Sequence, residues 1–241
     1  MNKKNVLYIK DLNKTYSKNS SKSVHAIKNL NLEVKEGEIF GLLGPNGAGK
    51  TTFINILAGT VIKTAGEVNV LGFDLDKDPR QVRAAIGIVP QEVNLDPFFS
   101  PRKLLDLQAG LYGMKKNERI TDTILNLVSL EKQANSYARS LSGGMKRRLL
   151  MAKALVHQPP IVFLDEPTAH LDFESMRFIE TQITTAHKSG TSIVMTSHNR
   201  SQAERLAEQI IFMENGEIME ISDAKTFFSN PKTSAAKEYL H

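Results

Sequence analysis

Cysteine is absent from the 241 residues, which excludes a disulfide framework, thiolate zinc sites and cysteine catalysis. Long hydrophobic runs are absent as well. The longest stretch without a charged side chain, Thr51 to Ile62, has 12 residues, short of the roughly 18 to 20 that span a bilayer. Lys3 and Lys4 are followed by only five uncharged residues before Lys10, too few for the apolar centre of an export signal. Neither a leader nor a membrane span is therefore expected. There is no internal repeat and no long low-complexity tract, and the 15 Gly and 9 Pro are spread along the chain, which excludes a collagen-like or linker protein. Charge of one sign is barely in excess: 31 Lys and Arg against 26 Asp and Glu leave +5. That balance suits an anionic ligand or a membrane surface but makes no nucleic-acid footprint by itself.

What is present is ordinary globular composition, 41% hydrophobic and 24% charged, at a length that favours one domain with a sizeable core. Short apolar runs predict strands at Val6–Ile9, Glu38–Leu43, Ile86–Val89, Ile161–Leu164, Ser192–Thr196 and Gln209–Met213. Several lack polar alternation, as strands buried on both faces do. Helical patterns lie after Gly49, from Pro101, from Ile120, after Gly144 and over Phe173–Lys188. The expected fold is α/β with a largely parallel sheet. The alternation at Leu30, Leu32 and Val34, and again at Val68 and Val70, predicts antiparallel strands beside it. Ser17 to Ser23 reads as a surface loop, and residues 95–157 as a helical insertion within one domain.

Gly44-Pro45-Asn46-Gly47-Ala48-Gly49-Lys50-Thr51 satisfies the phosphate-loop pattern G-x-x-x-x-G-K-[ST], with a strand before it and an apolar helix after it. The glycines let backbone N–H groups curl into an anion nest at the positive end of the helix. Lys50 would bridge the terminal phosphates, Thr51 would offer a hydroxyl to Mg²⁺, and Thr52 would bond further along the phosphate chain. Ile161–Leu164 ends in Asp165-Glu166, which places two carboxylates at the C-terminal edge of a buried strand, where ligands of parallel sheets sit. Asp165 would hold Mg²⁺, and Glu166 would orient or deprotonate an attacking water.

Leu141-Ser142-Gly143-Gly144-Met145 then completes a set that resembles the ATP-binding cassette (ABC) superfamily of ATPases, whose signature is L-S-G-G-Q. The resemblance is ordered along nearly the whole chain. It makes Tyr16 the adenine-stacking aromatic, Gly44–Thr52 the Walker A loop, and Gln91 the glutamine that reaches Mg²⁺ and the water. It makes Asp165 and Glu166 the Walker B aspartate and the catalytic glutamate, Asp172 the D-loop aspartate, and His198 the switch histidine. The fold it implies is a P-loop (RecA-like) core with an antiparallel β subdomain, built from residues 1–94 and 158–241, and a helical subdomain at 95–157. The ligands it implies are ATP and Mg²⁺. The partners it implies are a transmembrane permease and a second ATPase subunit, a homodimer, with no nucleic acid. Ser142, Gly143 and Gly144 would face the γ-phosphate held by the other subunit of a head-to-tail dimer. The location that follows is cytoplasmic, on the inner face of the membrane through the permease.

Met145 stands where the signature usually has glutamine, His170 adds bulk to the D-loop, and Ala169 lacks its usual hydroxyl. Leu141 to Arg148 resembles the cassettes of bacterial ABC-2-type drug and polysaccharide exporters, a likeness that holds over about residues 1–157. Towards the C-terminus, Phe227-Phe228-Ser229-Asn230-Pro231 looks more like small importer cassettes. An exporter subunit is the leading expectation; an importer cassette and a soluble ABC ATPase acting on ribosomes or DNA are the alternatives. A small-molecule kinase is disfavoured by Leu141–Gly144 and Glu166. Lys146, Arg147 and Arg148 read as a solvated helix face.

Overall fold

The computed structural model describes residues 4–18 and 22–240. Its backbone forms two sheets. Strands β1 (Asn5–Lys18), β2 (Lys22–Lys35), β4 (Ala65–Val70) and β5 (Phe73–Asp74) make an antiparallel sheet in the order β2-β1-β4-β5. Strands β3 (Ile39–Leu43), β6 (Ile86–Val89), β7 (Ile161–Leu164), β8 (Ser192–Thr196), β9 (Gln209–Glu214) and β10 (Glu217–Asp223) make the second, in the order β10-β9-β3-β8-β7-β6. All its pairings are parallel except β9 with β10.

The missing polar alternation in the central strands has a direct cause: both faces are covered. Ile39 and Leu43 of β3, Val162 and Leu164 of β7, and Ile193 and Met195 of β8 pack into one apolar cluster with the helices. Their in-between neighbours Phe40, Leu42, Ile161, Phe163 and Val194 pack into a second cluster, with the antiparallel sheet and helix α1 (Lys50–Leu57). Period-2 geometry sends successive side chains to opposite faces, so a strand between two layers must be apolar throughout.

Helix α2 (Pro79–Ala85) lies before β6; α3 (Pro101–Leu111), α4 (Thr121–Leu127) and α5 (Gly143–Leu155) follow it, and no strand interrupts residues 95–157. Leu104, Leu105, Ile124, Leu149 and Leu150 of these helices belong to the same cluster as β3, β7 and β8. Helices α6 (Phe173–Lys188), α7 (Arg200–Leu206), α8 (Ala224–Ser229) and α9 (Ser234–Leu240) complete the chain. No helix among the described residues is long and apolar enough to cross a membrane.

Three expectations need amendment. Val6–Ile9 is part of a 14-residue strand whose other half, mostly charged and polar, carries no apolar run. Of the loop expected at Ser17–Ser23, Ser17 and Lys18 belong to β1 and Lys22 and Ser23 to β2; residues 19–21 lie outside the described part of the chain. Strands β5 and β10 and helices α2, α7 and α8 have no counterpart among the expected elements, because each is only two to seven residues long and carries no sustained apolar pattern.

Candidate active site

Strand β3 delivers the chain to Gly44, whose φ of 148° is closed to most side chains. A Cβ there would lie 2.0 Å from the carbonyl oxygen of Met213, so the loop runs against β9 only because the residue is glycine. Six residues on, Lys50 opens α1 with only 7% of its surface exposed. Its Nζ donates to the carbonyls of Gly44 at 2.7 Å and Pro45 at 3.0 Å, so the ammonium curls back over the loop that precedes it. Burial lowers the Lys50 pKa, and the fields of Glu166 and Asp165 oppose that shift. The cation therefore already feels both carboxylates. Thr51 is exposed and Thr52 half-buried.

Asp165 follows the last residue of β7 and is buried, its N–H donating to the Val89 carbonyl at 2.8 Å. The Thr196 hydroxyl at the end of β8 donates to Asp165 Oδ1 at 2.7 Å and accepts from the Glu166 N–H at 2.8 Å. One hydroxyl thus fixes both acids. Glu166 has φ 48°, a left-handed conformation that costs a non-glycine residue roughly 1–3 kcal/mol and recurs at functional sites. Its Oε1 lies 2.8 Å from His198 Nε2. Behind this pair, fully buried Gln202 bonds the hydroxyls of Thr168 and Ser197 and the carboxylate of Glu180. Gln202 thereby ties the turn after β7 to the turn after β8, which carry Glu166 and His198. Sequence reading missed Gln202, since a glutamine on a short polar helix gives no signal.

It also misplaced Arg147. Far from a solvated face, Arg147 is 2% exposed. Its Nε donates to Pro167 O at 2.7 Å, Nη1 to Pro90 O at 2.7 Å and Gln91 O at 2.9 Å, and Nη2 to Asp165 O at 3.1 Å and to Glu166 O. Arg148 is engaged too, with Nη1 3.2 Å from Val128 O and its guanidinium over the Phe178 ring. In a run of three basic residues on a helix, the helical turn decides which points inward, and the target surface is set elsewhere in the chain. The Gln91 side chain is exposed, but its carbonyl is held beside that of Asp165 by Arg147.

Ser142 caps α5, its hydroxyl accepting from Met145 N–H at 3.2 Å. Ser142 and Gly143 are exposed, and no hydrogen bond among the described residues ties them to Gly44–Thr52 of their own chain. Met145 is half-buried against the helical core, which accounts for an apolar residue there. Asp172 caps α6, accepting from Ser175 N–H at 2.8 Å and Ser175 Oγ at 2.9 Å; the first of these bonds contributes most to lowering its pKa. His170, exposed, sits at φ 60°. Tyr16 pairs with Val24 across the β1–β2 hairpin, with Lys14 Nζ 4.5 Å from its ring centre. No hydrogen bond or ring contact among the described residues joins it to the phosphate loop.

The arrangement suits a polyphosphate: a glycine-bearing loop that ends in a buried lysine, and at the sheet edge a buried aspartate and a glutamate paired with histidine. Thr51, Asp165 and Gln91 offer the hard oxygen donors that suit Mg²⁺. Among the described residues no group of three or more His, Cys, Asp or Glu side chains could hold a metal on its own. An ion bound here would therefore complete its shell with phosphate oxygens and water, as Mg²⁺ does.

Comparison with known proteins gives a consistent picture. Residues 27–169 match the family described as ABC transporter. The Nod factor export ATP-binding protein I of Rhizobium etli is 38% identical over 208 residues, 86% of this chain and 64% of that protein. Its counterpart in Cupriavidus pinatubonensis is 38% identical over 192 residues, 79% of this chain and 59% of that protein. The chain thus spans less than two thirds of the length of these relatives. Among solved structures, a dimeric post-hydrolysis ATP-binding cassette bound to ADP and Pi superposes with a TM-score of 0.80 at 31% identity, covering 90% of this chain and 98% of that one. An ATP-binding subunit of an ABC transporter superposes with a TM-score of 0.83 at 23% identity, covering 97% of each chain, a likeness of fold.

Proposed function

The chain belongs to the ABC transporter family and has the fold of its ATPase cassettes; from that premise we propose that it hydrolyses ATP to drive a separate membrane permease in export. The observation that carries this reading is the 2.8 Å contact of Glu166 with His198, beside buried Asp165 and in the field of Lys50. In it, backbone N–H groups of the Gly44–Gly49 loop other than Pro45, which has none, receive the phosphates, with Pro45, Asn46, Gly47 and Ala48 forming the curl. Lys50 exchanges its carbonyl contacts for phosphate oxygens, and Thr52 adds a hydroxyl bond.

Glu166 Oε accepts the proton of a water aimed at the γ-phosphorus. His198, 2.8 Å from that carboxylate, holds it in place and contacts the γ-phosphate. Thr51, Gln91 and Asp165 would hold Mg²⁺, which when bound neutralises charge on the β- and γ-phosphate oxygens. Tyr16 gives the adenine a flat face. Residues 1–94 and 158–241 form the nucleotide-binding core, and residues 95–157 the helical unit that presents the signature.

The exposed Ser142–Gly143 turn supports a head-to-tail dimer of two such chains, in which this turn and Asp172 meet the nucleotide of the second copy. A cavity of about 740 Å³ between α2 and α3, lined by Arg80, Arg83, Tyr112 and the 83%-exposed Leu111, supports docking of a permease segment. The working place is then the cytoplasmic face of the membrane. The names of the relatives favour export over import.

Glu166→Gln tests the reading. The amide keeps the shape and removes the basicity, so Mg·ATP affinity should hold while turnover falls on the order of 100-fold or more. Turnover within a few-fold of the parent would remove Glu166 as the base.

A further inference from the structure

We propose that Arg147 is a positioning residue for hydrolysis: its guanidinium sets the turn that aims Glu166 and fixes that turn to the Gln91 segment and to the signature helix. This inference rests on the ATPase reading above.

Three observations carry it. The cation is almost wholly removed from water, and among the described residues the bonds it donates go to no carboxylate. All five acceptors are main-chain carbonyls, three successive ones from Asp165, Glu166 and Pro167 and two successive ones from Pro90 and Gln91. Finally, the carbonyl of Glu166 belongs to a residue at φ 48°.

Carbonyl dipoles whose oxygens converge from two loops repel one another, and away from water only a donor can offset that. A planar guanidinium with five N–H groups in a fixed fork matches such a ring; an ammonium, a point charge with three donors, does not. Without the cation, the three carbonyls after β7 have reason to turn apart. The left-handed conformation of Glu166 then loses its support, and its carboxylate leaves His198.

Arg147 sits in the second turn of α5, whose first residues carry Ser142 and Gly143. One cation therefore links three segments: the water-activating turn, the Gln91 loop and the turn that faces a second copy. None of the five bonds reaches the phosphate loop. Loss of Arg147 should accordingly spare nucleotide binding and fall on the chemical step.

The test compares Arg147→Met, which keeps the length and removes charge and donors, with Arg147→Lys, which keeps the charge and loses the fork. Each is measured for Mg·ATP affinity by direct titration, for kcat and KM, and for thermal unfolding, with Glu166→Gln alongside. Arg147→Met should lower kcat by roughly 30-fold or more with affinity within about threefold of the parent, and Arg147→Lys should recover only part of that loss. An unchanged kcat in Arg147→Met, or equal losses of affinity and kcat, would overturn the proposal. If Arg147→Met does not fold, Arg147→Lys decides alone: parental kcat overturns the proposal, and reduced kcat with parental affinity supports it. A Glu166→Gln variant that still turns over would instead count against the ATPase reading, which keeps the two failures apart.

Discussion

The phosphate loop and the signature turn are both glycine-rich stretches that open a helix, yet one is closed on its own chain and the other stands open. At the phosphate loop, Lys50 is buried and bonded to Gly44 and Pro45, and the backbone at Gly44 lies against Met213. At the signature turn, Ser142 and Gly143 are exposed, and a Cβ on Gly143 would meet none of the described residues within 4 Å. Gly44 serves close packing and Gly143 open access, while within the same stretches Gly47 is open and a Cβ on Gly144 would lie 2.4 Å from Ser175 Oγ. A turn kept bare at the head of a 13-residue helix, with that helix anchored from behind by Arg147, is suited to meet something outside the chain.

The sharpest way to break this contrast is to add one methyl group at each place. Gly44→Ala puts a side chain at a left-handed φ and into a backbone oxygen, and should cost about 3 kcal/mol or more in chemical unfolding. Gly143→Ala has room and an ordinary φ at the first position of α5, and should cost no stability, raising it by at most about 1 kcal/mol. Equal costs at the two positions would erase the distinction.

A smaller effect on the fold, though a large one on function, is expected of Ser142→Arg. Monomeric ATP binding should stay within about threefold, while ATP-driven dimerisation on size exclusion and hydrolysis should both fail, because a long cation fills the space before the helix N-terminus. Full activity of this variant would make the turn a mere helix start.

The least effect concerns the far end of α5. His157, just past the helix, stacks on Tyr112 at 3.7 Å, and its Nε2 lies 3.0 Å from the Ile86 carbonyl oxygen, while Nδ1 is buried with no partner among the described residues. Burial lowers its pKa below the ordinary 6.5, with the Ile86 bond opposing. The folded state therefore binds this proton less readily than the unfolded chain. The His157 contribution is complete above 6.5 and is lost as pH falls from there through the lowered folded-state value. His157→Phe should flatten the pH dependence of unfolding free energy between about pH 5 and 7; an unchanged slope would show that His157 is not its source.

Much of this was readable without coordinates, and the reasons differ by element. The central strands and α6 announce themselves because burial on both faces, or on one helical stripe, forces a pattern on consecutive residues. Glu166 and His198 were placed from their motifs, and the structure brings them within 2.8 Å. Strand β10 and helix α7 stayed hidden, since short polar segments owe their form to neighbours: β10 to its ladder with β9, and α7 to its Asn199 cap. The run Lys146–Arg148 points to solvent as a sequence, yet Arg147 is buried, for a charged residue goes inside only where other segments supply acceptors.

By itself the sequence determined the local chemistry: which loop can curl around an anion, which strand ends in acids, which residue types lack a thiol or a membrane span. Such properties depend on contiguous residues and their periodicity, and these are written in order along the chain. Only the tertiary structure decided that Thr196 would fix Asp165 and Glu166 together, that Gln202 would join the turns carrying Glu166 and His198, and that Arg147 would close a ring of five carbonyls. Those bonds cross 18 to 57 positions of sequence where Arg147 makes them. Hydrogen bonding depends on distances of about 3 Å in space, and separation along the chain does not record them.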